Sequence, residues 1–175
     1  MSNNNAKYIT KSIVSTIDIK ASQQVVWKNT TNIKTKYFPE TLFSKFFNIP
    51  KSLKAEIISE GEGGIRIVYF NTGKKFTQKI TIWKPMKEYS YDLYPEKGFT
   101  ILHFFELSSG LVRLIGGSYQ LINEDNFIRV KLTTNYCIRK NYVIFLNFIA
   151  KAVIKPFHKN LLNSIKKMSE DSFTI

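Results

Sequence analysis

The feature that most constrains the fold is the C-terminal stretch 141–170, which has the pattern of one long helix. Four apolar residues in its second half recur at helical spacing: Phe157, Leu161, Ile165 and Met168. Its first half, residues 142–154, is apolar nearly all round and carries only a thin polar stripe. A helix of that kind must be buried on more than one side, or must face an apolar molecule. The rest of the chain is therefore expected to cover it.

The chain before this helix predicts a first strand, two short helices and then a long run of strands. Residues 8–19 alternate as a strand does, and Ser22 is a good N-cap for a helix that starts immediately afterwards. The aromatic segment between Pro39 and Pro50 predicts a second short helix at residues 40–47. Residues 1–7 are polar and are expected to be disordered.

From residue 54 onward, alternating segments are separated by turn residues, as in an antiparallel meander. The predicted strands are 54–59, 65–70, 75–83, 88–93, 99–107, 118–123 and 127–139. The last strand alternates most clearly, with an apolar face and a polar face, so the sheet should be covered on one side only. Arg66 could bind a carboxylate or phosphate if it pointed inward. Parity in the second of these strands places Ile65 and Ile67 inward and Arg66 outward, which is the favoured interpretation.

This order of elements predicts a single α+β domain over residues 8–175. The fold class is a helix-grip fold, in which a curved antiparallel β-sheet wraps around a long C-terminal helix, with two short helices after the first strand. A cavity is expected between sheet and helix.

Several short segments also carry a family resemblance, and they occur in a fixed order along residues 15–170. They are IDIKAS at 17–22, VVW at 25–27, GEGGIR at 61–66, TIWKP at 81–85 and HKNLLNSIKK at 158–167. With them the chain resembles the START-like (SRPBCC) superfamily, which includes polyketide cyclase/dehydrase and lipid-transport-like proteins. The resemblance implies an apolar cavity for a lipid, polyketide or other hydrophobic molecule. Gln78 stands where relatives often have an acidic residue, which weakens an acid–base mechanism for this chain.

The composition narrows the function classes. The net charge is +13, with the basic residues scattered, and neither an Arg-rich helix nor an aromatic RNA-binding signature accompanies it, so no nucleic acid partner is expected. The single cysteine, Cys137, excludes an intramolecular disulfide. Neither histidine has a second ligand at metal-binding spacing, so no metal and no cofactor are predicted. The N-terminus lacks a signal-like apolar run, and a cytoplasmic protein is expected.

The predicted inner face supplies polar candidates for ligand binding: Gln78, Tyr91, His103, Tyr119 and Tyr136. Buried tyrosine hydroxyls need partners, so several on one concave face favour a cavity that holds polar ligand atoms or water; ordinary aromatic packing with the hydroxyls at the rim is an equal alternative. His103 is a candidate general base, although a hydrogen-bonded core or rim histidine is the favoured interpretation. His158, on the helix, is likewise favoured as structural.

The predicted helix wall of the cavity consists of Phe145, Phe148, Ile149, Phe157 and Leu161. Three functions fit this pattern. The first is carriage or sensing of a hydrophobic small molecule, and the second is a cyclase/dehydratase-type enzyme that would use His103. The third is a protein at the periphery of an anionic membrane surface, which would dock through the apolar residues 142–154 and positive charge.

Overall fold

A computed structural model describes residues 7–33, 49–102, 105–108 and 110–172 of the chain. Nine strands and two helices follow one another there, with a 3-10 turn at Lys140–Tyr142 before the last helix. The elements are β1 (Tyr8–Ile19), α1 (Gln23–Thr31), β2 (Ser52–Ile57), β3 (Ile65–Phe70), β4 (Lys75–Lys84), β5 (Glu88–Pro95), β6 (Thr100–Ile101), β7 (Phe105–Glu106), β8 (Val112–Glu124), β9 (Phe127–Arg139) and α2 (Val143–Asp171).

Seven strands form one curled antiparallel sheet in the order β1-β9-β8-β5-β4-β3-β2. The helix α2 packs across its concave face and meets β1 and β9. In β9, most of the inward residues predicted from alternation are buried, among them Val130, Leu132 and Ile138, while Thr134 is half-buried. This is the predicted helix-grip fold.

The helix α1 begins where the sequence predicts, because the Ser22 hydroxyl accepts a hydrogen bond from the amide of Val25 at 3.4 Å. Trp27 on this helix meets Trp83 edge-on, with ring centroids 5.0 Å apart, and Tyr89 at 5.8 Å. This cluster fixes α1 against the sheet next to the concave face. The helix predicted at residues 40–47 and the first six residues lie outside the described part of the chain.

One predicted strand is wrong. Residues 99–107 do not form a continuous strand: β6 and β7 are two residues each and pair as a small hairpin, with Ile101 opposite Phe105. Leu102 takes a positive φ of 52°, which a continuous strand does not allow. Ile101 and Phe105, one from each short strand, are both buried. Strand parity therefore makes no prediction for His103, which lies outside the described residues.

The parity predicted for β3 is reversed. Arg66 is 1% exposed, and its neighbours of like parity, Val68 and Phe70, are buried with it on the concave face. The prediction relied on Ile65 and Ile67, which are only half-buried because they occupy the convex face. Apolar residues on both faces made the strand ambiguous when considered alone.

A register shift between Ile80 and Ile82 also changes the predicted alternation in β4. Such a bulge turns the following side chains to the other face. Trp83 therefore packs against the core beside Trp27, although simple alternation with Ile80 placed it on the outer side.

Candidate functional site

A cavity of about 110 Å³ lies between the concave face of the sheet and α2. Its helix wall consists of residues from the middle of α2: Ala150, Val153, Ile154, Phe157 and Leu161. Strands β3, β4, β5 and β8 supply the opposite wall, which is mostly aliphatic and aromatic. A mostly apolar enclosure with a few placed polar groups is the usual form of a small-molecule site.

One end of the cavity is aromatic. Phe70 at the end of β3, Phe76 at the start of β4 and Phe99 before β6 pack together, with ring centroids 4.3–4.8 Å apart. All three side chains are buried and line the cavity. They provide a rigid apolar surface, since each ring is held by the other two.

The other end is polar and centres on Arg66. Its Nε donates to the carbonyl of Thr31 at 2.9 Å, and one terminal nitrogen donates to the carbonyl of Thr30 at 3.3 Å. The second terminal nitrogen donates to Oε1 of Gln78 at 2.7 Å. The guanidinium thus holds the last turn of α1 to the sheet and, at the same time, forms part of the cavity wall.

Three tyrosines surround this polar end. Tyr89 stacks on Tyr119 with centroids 5.1 Å apart, and Tyr91 lies 5.9 Å from Tyr89. Burial raises the pKa of Tyr91 to about 12, while the charge of Arg66 and a hydrogen bond with Gln78 act in the opposite direction. Burial likewise raises the pKa of Tyr89 and of Tyr119. All three phenols are therefore neutral at physiological pH and offer hydrogen bonds without charge.

The structure brings together five of the predicted site residues around the cavity: Gln78, Tyr91, Tyr119, Phe157 and Leu161. Tyr136 is buried beside them, but its hydroxyl donates to Oδ1 of Asn147 on α2 at 2.9 Å and does not form part of the wall. Ile149 is half-buried and packs against the hydrophobic core.

Phe145 and Phe148 correct the predicted helix wall. They are 64% and 73% exposed, on the side of α2 that points away from the sheet. The first half of α2 buries only one stripe, including Leu146 and Ala150, so the remaining apolar residues face outward. The polar stripe of this half is thin, and most of the remaining helix surface is apolar, so the sequence did not single out the buried stripe.

Of the two histidines, the structure describes only His158. His103 lies outside the described residues, so the favoured interpretation as a core or rim histidine and the alternative role as general base both stay predictions. His158 is fully buried between α2 and the sheet, with Nε2 2.7 Å from Thr134 Oγ1 and Nδ1 3.0 Å from Ser15 Oγ. Desolvation lowers the pKa of His158 to about 4, so the ring is neutral. Among the described residues, no three His, Cys, Asp or Glu side chains form a cluster that could hold a metal ion.

Alternation within β3 alone wrongly placed Arg66 outside the cavity, although the sequence held a signal for the inward position. The turn at residues 71–73 pairs Val68 with Phe76, and continuing that register places Arg66 directly opposite Gln78. Residues paired in this way point to the same side of the sheet. Gln78 was assigned inward from β4, so Arg66 had to point inward as well.

No protein-family model and no curated protein sequence matches this chain. Among solved structures, Ara h 8.0201 superposes with a TM-score of 0.58 at 14% identity, over 93% of this chain and 99% of that one. Norcoclaurine synthase from Thalictrum flavum gives 0.54 at 14% identity over 93% and 94%. A protein from Mesorhizobium loti gives 0.58 at 9% identity over 92% and 98%. At these identities the likeness shows the fold alone, the helix-grip fold.

In the part of the chain that the structure describes, no helix is both long and apolar enough to cross a membrane.

Proposed function

We propose that this protein is a member of the START-like superfamily and binds a hydrophobic small molecule in the cavity under α2, as a carrier or sensor. The observation that carries the proposal is the cavity itself, with an aromatic end at Phe70, Phe76 and Phe99 and a polar end at Arg66. Burial of an apolar ligand there would be favourable because it removes apolar surface of both molecules from water.

A volume-filling variant on the helix wall tests this proposal. Ala150 lines the cavity and is 4% exposed, whereas Ala152, two residues further along α2, is half-exposed and is not among the lining residues. Ala150→Leu is expected to weaken binding of a fluorescent fatty-acid or sterol probe by about tenfold or more, because the added methyl groups occupy ligand space. Ala152→Leu is the matched control and should bind as the wild type does. Equal probe affinity of both variants would contradict a site in this cavity.

The occupant can be sought directly. Native mass spectrometry of the protein purified from its own host should show a mass added to that of the chain, and Ala150→Leu should reduce the occupied fraction. A probe series of rising length, from hexanol to tetradecanol, would then report how much hydrocarbon the cavity takes. Absence of any bound mass, together with no binding across the series, would exclude the proposed function.

A second candidate function, association with an anionic membrane surface, is favoured by the outer face of α2. Ile144 is 90% exposed and Phe148 73%, and Lys151 and Lys155 continue the same face at helical spacing. Residues 127–169 contain nine Lys or Arg and no Asp or Glu. Apolar side chains beside basic ones suit the interface of an acidic bilayer, where each basic residue near the surface contributes about 1 kcal/mol.

Vesicle flotation tests this candidate. The wild type should float with vesicles of phosphatidylserine and phosphatidylcholine, and much less with phosphatidylcholine alone. The double variant Ile144→Ser/Phe148→Ser should lose flotation. The matched control is Val14→Ser/Ile122→Ser, which removes two exposed apolar side chains of the sheet, 49% and 42% exposed. Flotation unchanged in the first double variant would exclude α2 as the docking face.

A further inference from the structure

Arg66 places a permanent positive charge in the wall of an apolar cavity. The guanidinium is positively charged, and Arg66 is 1% exposed. A buried charge is costly unless it is paired, because water no longer solvates it. The partners of this charge therefore decide what the cavity is suited to hold.

The partners present in the described chain neutralise the charge only in part. The carbonyls of Thr30 and Thr31 belong to the C-terminal turn of α1, where the helix dipole amounts to roughly half a negative charge. The third partner, Gln78, is a neutral amide. Among the described residues no carboxylate pairs with Arg66.

The other titratable groups nearby do not supply the missing charge. Burial raises the pKa values of Tyr89, Tyr91 and Tyr119, so none of them is a phenolate near neutral pH. The positive charge of Arg66 acts against burial at each of the three tyrosines and lowers the pKa in part. The three neutral phenols can donate hydrogen bonds to a bound anion, but they do not supply the negative charge that would pair with Arg66.

The guanidinium also retains capacity for a ligand. It has five N–H groups, and three of them take part in the hydrogen bonds to Thr31, Thr30 and Gln78. One N–H on each terminal nitrogen remains without an acceptor in the described part of the chain. Arg66 and Gln78 both line the cavity, and Tyr91 lines it beside them.

We infer that the cavity is built for an amphiphile with an apolar body and one carboxylate head, which Arg66 binds with Gln78 and Tyr91 alongside. This inference rests on the proposed function and names its ligand class. The apolar body lies toward the aromatic end: Phe70 follows Arg66 by four residues on β3, roughly 13 Å at the usual rise of a strand. A ligand aligned with β3 pairs its charge with Arg66 and buries its chain against the three phenylalanines.

The first test compares two ligands on the unaltered protein, so it does not depend on any variant folding. Calorimetric titration is carried out with decanoate and with decanol, which share the apolar chain and differ in charge. Decanoate should bind at least about tenfold more tightly, because only the acid pairs a negative charge with the guanidinium. Equal affinities would overturn the inference and leave the cavity function standing. Binding of neither probe would overturn both.

Titration at high salt distinguishes decanoate binding in the cavity from decanoate binding to the basic surface. A net charge of +13 attracts any anion, but that attraction is screened at about 0.5 M salt, whereas a buried ion pair is screened much less. The preference for decanoate should therefore persist at high salt. Its disappearance would assign the preference to the surface and overturn the inference.

Two variants test whether the preference for decanoate over decanol depends on Arg66. Arg66→Gln should bring decanoate to the affinity of decanol, with circular dichroism to verify that the fold is retained. Lys79→Gln is the matched control, because Lys79 adjoins Gln78 on β4 but is exposed on the outer face. It removes one positive charge and should retain the preference. If Arg66→Gln folds and still prefers the acid, the carboxylate binds elsewhere and the inference is wrong.

Discussion

The imidazole of His158 on α2 and the hydroxyl of Thr134 on β9 meet across the helix–sheet interface, with Nε2 2.7 Å from Oγ1. The other ring nitrogen lies 3.0 Å from the hydroxyl of Ser15 on β1. One buried side chain thus joins the long helix to the two strands at that edge of the sheet. Both hydroxyls can donate or accept, so a neutral ring is satisfied whichever nitrogen carries the proton.

This interface should make stability depend on pH. The pKa of His158 is 6.5 when unfolded and about 4 when folded, because burial disfavours the charged ring. Between these values the unfolded chain binds a proton that the folded chain does not. The stabilisation is therefore fully present above 6.5 and is lost as pH falls through the folded value. The free energy of unfolding should fall by about 2 kcal/mol from about pH 7.5 to about pH 5.

Urea unfolding at several pH values measures this effect. His158→Gln cannot titrate and should show a flatter pH dependence than the wild type, although it is less stable at neutral pH. His103 and the carboxylates are present in both proteins, so the difference between the two curves isolates His158. Parallel curves would show that His158 does not titrate in this range.

Arg66 should be important for stability as well as for ligand binding. Arg66→Met keeps an unbranched side chain only as far as Nε and removes the guanidinium. The Thr31 carbonyl and the Gln78 amide lose their Arg66 donor, and among the described residues the Thr30 carbonyl keeps only the Tyr89 hydroxyl, at 3.4 Å. Loss of a partner from buried polar groups costs about 1–3 kcal/mol each, partly offset by no longer burying a charge. We expect a net loss of about 2–4 kcal/mol in chemical denaturation. Lys79→Met, on the exposed face of β4, should change the stability by less than about 0.5 kcal/mol.

Gly117 should tolerate no side chain. It pairs with Tyr91 across β5 and β8, and a Cβ at this position would lie 2.8 Å from the Tyr91 hydroxyl and press on the backbone oxygen of Thr133. Gly117→Ala is expected to cost about 1–3 kcal/mol, because backbone cannot move aside as a flexible side chain can. Ser118→Ala, at the next, half-buried position, is the control and should unfold at nearly the wild-type urea concentration. Equal urea midpoints for the two variants would show that β8 can shift to make room for a side chain at this position.

Pro156 should lower the stability of α2. It lies within the continuous helix and has no amide hydrogen, so the carbonyl of Ala152 loses its helical donor. Pro156 is exposed, and Pro156→Ala should restore that hydrogen bond without a clash. We expect a gain of about 1–3 kcal/mol, reduced by the greater freedom of the unfolded chain. A thermal melt that shows no gain, or a loss, would mean that the helix needs the proline for its shape.

Local patterns in the sequence predicted the framework of the fold. The bounds of β1, β3 and β9, the N-cap at Ser22 and the long final helix all follow from alternation, helical periodicity and capping. These signals are local because each depends on residues a few positions apart in one element. Antiparallel order also follows, since short turns between strands allow little else.

Strand parity placed several candidate residues on the inner face, although Tyr136 is buried there without lining the cavity. Gln78, Tyr91 and Tyr119 line the cavity as parity predicted. Arg66 did not follow, because both faces of β3 carry apolar residues and only its pairing with β4 decides which face is inward. The hairpin at residues 100–106 likewise depends on a backbone turn at Leu102 that no periodicity indicates.

The C-terminal helix shows most clearly which features the sequence determined and which the tertiary structure decided. Its existence and its amphipathic second half were determined by the sequence alone, since the steps of four and three residues between Leu161, Ile165 and Met168 fit a helix and no strand. The tertiary structure decided which side of its first half is buried. Leu146 and Ala150 are buried while Ile144 and Phe148 face outward. A sheet covers only one side of a helix, and a segment that is apolar nearly all round does not specify which side that is.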